Sequence, residues 1–320
     1  MIDISLETFR DAAQKIAGKA LYTPLVLLPS HTSLHGNPIY LKAESLQPTG
    51  AFKMRGATYF LSLHTEEEKK RGVVTYSTGN HAKAVAYAAK LLGVKATIVM
   101  SPDAPAFKIA AVKSYGAEVV MTEPLSDVRQ QVAEELSRTK GYYLVPPYDH
   151  PEIIAGQGTI GLEILEKIDP AAVFVPVGGG GLIAGIAMCI KKMKSSIKII
   201  GVEPELENDG YQSFHSGKLV HLKTPSHSIA DAIKVLSLGD MTFPLIQNYV
   251  DDMVTVNEAQ IRESTLLSFD MAHLLVEPAG ALALAAALSY TTPFISTKPV
   301  IAIASGGNTT LPYLYNLSKI

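Results

Sequence analysis

From Ala171 to Ile190 the chain runs twenty residues without a charge, and Pro176 and four consecutive glycines, Gly178 to Gly181, interrupt that run. Length alone would allow a membrane span, but a proline and four glycines leave no continuous helix. The stretch therefore reads as a buried strand, Val173 to Val177, a glycine turn, and a buried helix opening at Leu182. Residues without a Cβ let successive N–H groups converge on one point, and the positive end of the following helix adds to the field. Such a turn is written to hold a dianionic phosphate without an arginine. A flexible linker is the alternative, and apolar flanks on both sides argue against it.

The rest of the chain repeats this grammar. Short β-rich runs (Val73 to Ser77, Ala96 to Met100, Glu118 to Met121, Tyr142 to Val145, Ile197 to Val202, Val300 to Ala304) alternate with segments of helical period such as His81 to Leu92, Ser126 to Thr139 and Glu152 to Ile168. Alternation of this kind predicts an α/β fold of parallel sheets covered by helices. The proline-rich run from Gly141 to Pro151 and the Arg71-Gly72 pair mark boundaries. They predict a small inserted lobe, residues 72–146, within a larger one made of residues 1–71 and 147–320. Ligands bind in clefts between such lobes.

At 320 residues, with 47% hydrophobic residues and a formal net charge of -2, the chain can bury a large core. The balance of charge and the lack of a Lys/Arg stripe argue against a nucleic-acid surface and for a small-molecule ligand. The single cysteine, Cys189, excludes an intrachain disulfide and fits a reducing, cytoplasmic setting. Met1 to Gly18 reads as an amphipathic helix, with Leu6, Phe9, Ala13 and Ile16 at helical spacing, and not as a signal peptide. No membrane association is expected.

Two chemistries fit the glycine turn taken alone. Gly179, Gly181 and Ala184 satisfy a dinucleotide fingerprint, and Glu203 lies about where that fold places its ribose-binding acid, so a nicotinamide dehydrogenase is one reading. The other rests on Lys53. It follows Phe52 and a Pro-Thr-Gly turn at a helix entry, where desolvation would lower the amine pKa and release a nucleophilic lone pair; an exposed surface lysine is the plain alternative. Ser77-Thr78-Gly79-Asn80-His81 adds two hydroxyls, an amide and free N–H groups at a strand-to-helix transition, suited either to a carboxylate or to a simple N-cap.

Taken in order, Gly50 to Gly56 around Lys53, Ser77 to His81, Ala155 to Thr159, Val175 to Gly185, Ile229-Ala230-Asp231, Glu277-Pro278-Ala279-Gly280 and Ser305-Gly306-Gly307-Asn308 resemble the fold type II pyridoxal-phosphate enzymes, a tryptophan synthase beta-like fold, and most closely the threonine dehydratase and serine racemase family. The resemblance spans nearly the whole chain. It implies that Lys53 carries pyridoxal phosphate through a Schiff base and later moves the proton at the substrate Cα. It also implies that Phe52 packs beside the ring, that Gly178, Gly179, Gly180, Gly181 and Leu182 hold the phosphate, that Asn80 bonds the phenolic oxygen, and that Ser305 faces the pyridine nitrogen. Substrate binding falls by the same resemblance to Ser77, Thr78, Asn80 and His81, with Arg129 near the cleft. Glu203 and Asp209, with a main-chain carbonyl of Glu207, would bind Mg2+ or Ca2+; oxygen donors suit such an ion.

The implied activity is β-elimination from a small hydroxy amino acid (serine, threonine or 3-hydroxyaspartate) to a 2-oxo acid and ammonia, in a homodimer. A serine or aspartate racemase using the Thr78 hydroxyl, and a non-catalytic cofactor carrier, are the other readings. Three positions depart from the family pattern: Thr78 where racemases have serine, Ala232 where glycine is usual, and Lys83 where glutamine is common.

Overall fold

A computed structural model describes residues 2–123, 126–224, 227–292 and 297–319, with backbone only at 126 and 127. Its strands are β1 (Leu25–Thr32), β2 (Pro38–Lys42), β3 (Val73–Tyr76), β4 (Ala96–Met100), β5 (Glu118–Met121), β6 (Tyr143–Leu144), β7 (Ala172–Pro176), β8 (Lys198–Pro204), β9 (Asp252–Val256) and β10 (Val300–Ile303). They form a six-stranded sheet in the order β1-β2-β10-β7-β8-β9 and a four-stranded sheet in the order β5-β4-β3-β6. Every pairing is parallel except β1 with β2.

The helices that cover them are α1 (Leu6–Ile16), α2 (Lys53–Ser62), α3 (Glu66–Arg71), α4 (Asn80–Leu92), α5 (Ala106–Ser114), α6 (Ser126–Lys140) and α7 (Pro151–Lys167) in the first half. The second half adds α8 (Gly181–Met193), α9 (Asp209–Ser216), α10 (Thr242–Tyr249), α11 (Glu258–Asp270), α12 (Pro278–Ser289) and α13 (Leu311–Leu317). The charge-free stretch is a strand, a glycine turn and a helix, β7 and α8, as its composition predicts. Among the described residues no helix is long and apolar enough to cross a membrane.

Helices α2, α7 and α8 stack with their backbones almost touching. A Cβ at Gly156 would lie 2.6 Å from Gly56 Cα, and one at Gly185 would lie 2.3 Å from Ile154 O. The Ala155-Gly156-Gln157-Gly158-Thr159 segment is thus a packing seam. Gln157 Oε1 accepts from Gly56 N across it at 3.2 Å.

This seam seats α2 on a buried ion cluster. Arg55, fully buried, donates to both carboxylate oxygens of Glu44 at 2.8 Å and to those of Glu163 at 2.6 and 2.9 Å. Lys42 donates to Glu163 at 2.5 Å and to Thr23 O at 2.7 Å. Burial pushes the Glu44 carboxyl up, but the charges of Arg55 and Lys42 outweigh it and hold the group below its usual range. Two cations thus face two anions, and removing any one would strand a buried charge.

Candidate active site

Lys53 is the first residue of α2, and the main chain before it is tied to the far end of the sequence. Phe52 N donates to Ser305 O at 3.0 Å, Gly307 N donates to Gly50 O at 2.8 Å, and Ala51 bridges to Gly306. Ser305 is buried just beyond β10. The Lys53 amine donates to Pro147 O at 2.5 Å and lies 5.2 Å from the Phe52 ring centre and 6.0 Å from that of Tyr148. Lys53 as a whole is half-buried, and burial of its amine lowers the pKa to about 8. A carbonyl and two rings supply no anion to restore the charge, so a larger share of the amine is neutral than for a surface lysine.

The glycine turn lies beneath Tyr148. A Cβ at Gly179 would stand 2.4 Å from atoms of that ring, and Gly180 has φ +90, so neither position accepts a side chain without strain. Thr242 Oγ1 fixes the turn by donating to Gly179 O at 2.7 Å. The N–H groups of Gly178 to Leu182 donate to no acceptor among the described residues. These unused donors at the start of α8 fit the phosphate of the cofactor the sequence implies.

The third wall is the start of α4. Its N-cap is Gly79, with no side-chain cap, so the alternative reading of Ser77, Thr78 or Asn80 as a capping residue does not hold. Ser77 Oγ instead accepts from Gly79 N at 3.3 Å, and the helix N-terminus is left available to an anion. His81 is buried, and its ring nitrogen Nε2 lies 3.2 Å from Val145 O, an acceptor, so Nε2 carries the proton. Burial, then the nearby Lys53 charge, lowers its pKa to about 3, which keeps the imidazole neutral. Asn80 Nδ2 donates to Glu277 Oε1 at 2.6 Å, and Asn80 Oδ1 accepts from Asn308 Nδ2 at 2.6 Å.

The structure thus brings Phe52, Lys53, Ser77 to His81, the glycine turn and Ser305 together at the carboxyl ends of β3, β7 and β10. Arg129 lies on α6, half-buried, with burial lowering its pKa. Glu277, Tyr148 and Asn308 belong to the site and were given no role by sequence. Glu277 and Asn308 lie in quoted motifs, and an acid preceding a proline at a helix start looks like an ordinary cap. Here Glu277 makes no cap bond and turns to Asn80.

Glu203, at the end of β8, accepts from Gly210 N at 3.1 Å and Tyr211 N at 2.7 Å. Burial, then repulsion from Asp209, pushes its pKa well up, and Asp209 is raised by burial. Asp209 Oδ2 is buried without a hydrogen-bond partner, while Glu207 Oε1 accepts from Val235 N at 3.0 Å. Two repelling carboxylates fit a hard cation as donors, with the Glu207 side chain engaged elsewhere. Among the described residues no group of three or more His, Cys, Asp or Glu side chains is arranged to hold a metal ion.

The family model described as pyridoxal-phosphate dependent enzyme matches residues 16–306. The chain belongs to that family. It is similar to the L-threo-3-hydroxyaspartate ammonia-lyase of Saccharomyces cerevisiae, 42% identical over 93% of this chain and 91% of that one. It is also similar to the serine racemase of Schizosaccharomyces pombe, 39% identical over 99% of both chains. The structure of maize serine racemase superposes with a TM-score of 0.94 at 35% identity, covering 99% of this chain and 98% of that one. As a member of the pyridoxal-phosphate family the chain is an enzyme of the two-sheet α/β fold seen here, and the nicotinamide reading of the glycine turn is set aside.

Proposed function

We propose that this enzyme removes the β-hydroxyl of a small hydroxy amino acid, with L-serine, L-threonine and 3-hydroxyaspartate as the substrate class, to give a 2-oxo acid and ammonia. The observation that carries the reading is the Lys53 amine, shifted to about 8 by burial and held at the head of α2 opposite the uncapped start of α4. Pyridoxal phosphate, when bound, supplies the covalent carbonyl and the electron sink for charge developed at the substrate Cα. Lys53 would hold the cofactor and take the Cα proton as its neutral amine. The N-terminus of α4, with Ser77, Thr78, Asn80 and His81, would receive the substrate carboxylate. Gly178 to Leu182 would hold the phosphate on main-chain donors, Phe52 would flank the ring, and Ser305 would offer its nitrogen a neutral hydroxyl. A hydroxyl, unlike a carboxylate, does not favour a protonated ring nitrogen, which suits prompt loss of the β-substituent. Water leaves from Cα and Cβ, and the released enamine hydrolyses to the 2-oxo acid and ammonia.

The Thr78 hydroxyl favours a second reading, racemisation, in which it serves as the opposite-face acid and base. A substrate panel on the purified enzyme, following 2-oxo acid release and enantiomer ratio together, separates the two. Release of 2-oxo acid from none of the three substrates would overturn the lyase reading. Thr78→Ala should spare elimination and lower racemisation; equal loss of both would make the hydroxyl a binding group.

The reading includes Arg129 as an aid to closure over substrate, a two-lobed chain with residues 72–146 as the smaller lobe, and Mg2+ or Ca2+ on Glu203, Asp209 and the Glu207 carbonyl. That the strands β3 to β6 all lie within 73–144 and form a sheet of their own supports the division. It also includes a homodimer working in the cytoplasm, a setting supported by a single, buried, unpaired cysteine. A chelator should lower activity or melting temperature and Mg2+ should restore it; sedimentation tests the dimer.

A further inference from the structure

Lys83, one of the three departures from the family pattern, heads a hydrogen-bond chain that runs in one direction. Its Nζ donates to Asn308 Oδ1; Asn308 Nδ2 donates to Asn80 Oδ1 at 2.6 Å and to Thr49 O at 2.9 Å; Asn80 Nδ2 donates to Glu277 Oε1 at 2.6 Å. An ammonium can only donate, and a main-chain carbonyl can only accept. Between them the Asn308 amide has one permitted orientation, oxygen toward Lys83 and nitrogen toward Thr49 and Asn80. Asn80 must then point its oxygen at Asn308 and its nitrogen at Glu277. One of the two Asn80 Nδ2 hydrogens is taken by Glu277, and the other makes no hydrogen bond among the described residues.

The chain also touches the lysine segment. Asn308 lies over Gly50, where a Cβ would meet Asn308 Oδ1 at 2.5 Å, and Thr49 and Gly50 lead directly into Phe52 and Lys53. Its two ends are a cation and a carboxyl, so both amides are polarised in the same sense. Lys83 and Glu277 each act on the other's charge, with Lys108 and Asp231 as the further charged groups facing them.

We propose that Asn308 is a positioning residue which, held by Lys83 and the Thr49 carbonyl, fixes the Asn80 amide with its N–H toward the cofactor's phenolic oxygen. The inference rests on the assignment of Asn80 to that oxygen. It concerns a side chain that acts through another.

Asn308→Asp is the decisive change, because it keeps shape and the contact with Lys83 but places acceptors against Thr49 O and Asn80 Oδ1. Pyridoxal phosphate is titrated onto the apoenzyme of the wild type, Asn80→Ala, Asn308→Asp and the double variant, and the dissociation constant and the pH midpoint of the bound cofactor's visible band are read. One misdirected hydrogen bond corresponds to a loss of about three- to tenfold in affinity. Asn308→Asp and Asn80→Ala should each show such a loss with a shifted midpoint, and the double variant should bind no worse than Asn80→Ala. Wild-type binding by Asn308→Asp, or losses that multiply in the double variant, would overturn the inference while leaving the cofactor reading intact. Wild-type binding by Asn80→Ala would instead remove the assignment of Asn80 itself. Should Asn308→Asp fail to fold, Lys83→Met supplies the same measurement: a weaker loss in the same direction supports the relay, and none overturns it.

Discussion

Lys53 and Glu277 show opposite consequences of the same burial. The Lys53 amine loses proton affinity because its charged form is desolvated with no counterion, and at a pKa of about 8 roughly a tenth of it is neutral at pH 7. Capture of pyridoxal phosphate by the apoenzyme should therefore accelerate as pH rises through about 8 and then level off, as stopped-flow absorbance would register; acceleration continuing to the range of an ordinary lysine would contradict the assignment. Lys53→Ala should yield no borohydride-trapped adduct on the peptide containing residue 53, as mass mapping would show. Glu277 is raised from 4.5 to about 7, by burial first and then by Asp231. The folded state therefore holds a proton that the unfolded chain releases near pH 4.5. The resulting stability is fully present below that value and is lost as pH rises through about 7, on the order of 3 kcal/mol. Glu277→Gln should flatten the decline in apoenzyme stability between pH 5 and pH 8, measured by urea unfolding; an unchanged slope would show that the carboxyl is not the group titrating.

Among elements, the glycine turn has two jobs that one substitution can separate. Gly179→Ala would drive a methyl into the Tyr148 ring at 2.4 Å, a cost of about 1–3 kcal/mol in unfolding free energy. Denaturant melts of Gly179→Ala in a Tyr148→Ala background should recover most of that loss. The turn itself was legible because apolar flanks and missing side chains leave few alternatives, and the parallel strands β3, β4, β5, β6, β7, β8 and β10 were legible for a similar reason: each is a run of mostly apolar residues. β1, β2 and β9 were not read. β1 carries Pro29 and is largely exposed, β9 is only partly buried, and β2 ends in Lys42, a buried cation that sequence marks as surface. The ion cluster beneath α2 was hidden for the same reason, since Lys42, Glu44, Arg55 and Glu163 neutralise one another only after three distant segments meet. Resemblance named the cleft residues, while the order of donors through Lys83, Asn308, Asn80 and Glu277 depends on contacts up to 228 residues apart and has no local signature.

At the scale of the whole molecule, the amine proposed to react is on an early residue clasped by a late segment. Phe52 N reaches Ser305 O, Gly307 N reaches Gly50 O, and Asn308 reaches Thr49, so the head of α2 is finished by the segment after the central strand β10. During synthesis the ribosome delivers residue 53 long before residues 305–308 leave the exit tunnel. A nascent chain arrested ahead of β10 carries Lys53 without the segment that pairs with its flanking main chain. Arrested chains should retain no reducible vitamin B6 label, and full-length released chains should retain it. Trapped label on released chains alone would make coenzyme loading a checkpoint on completed translation.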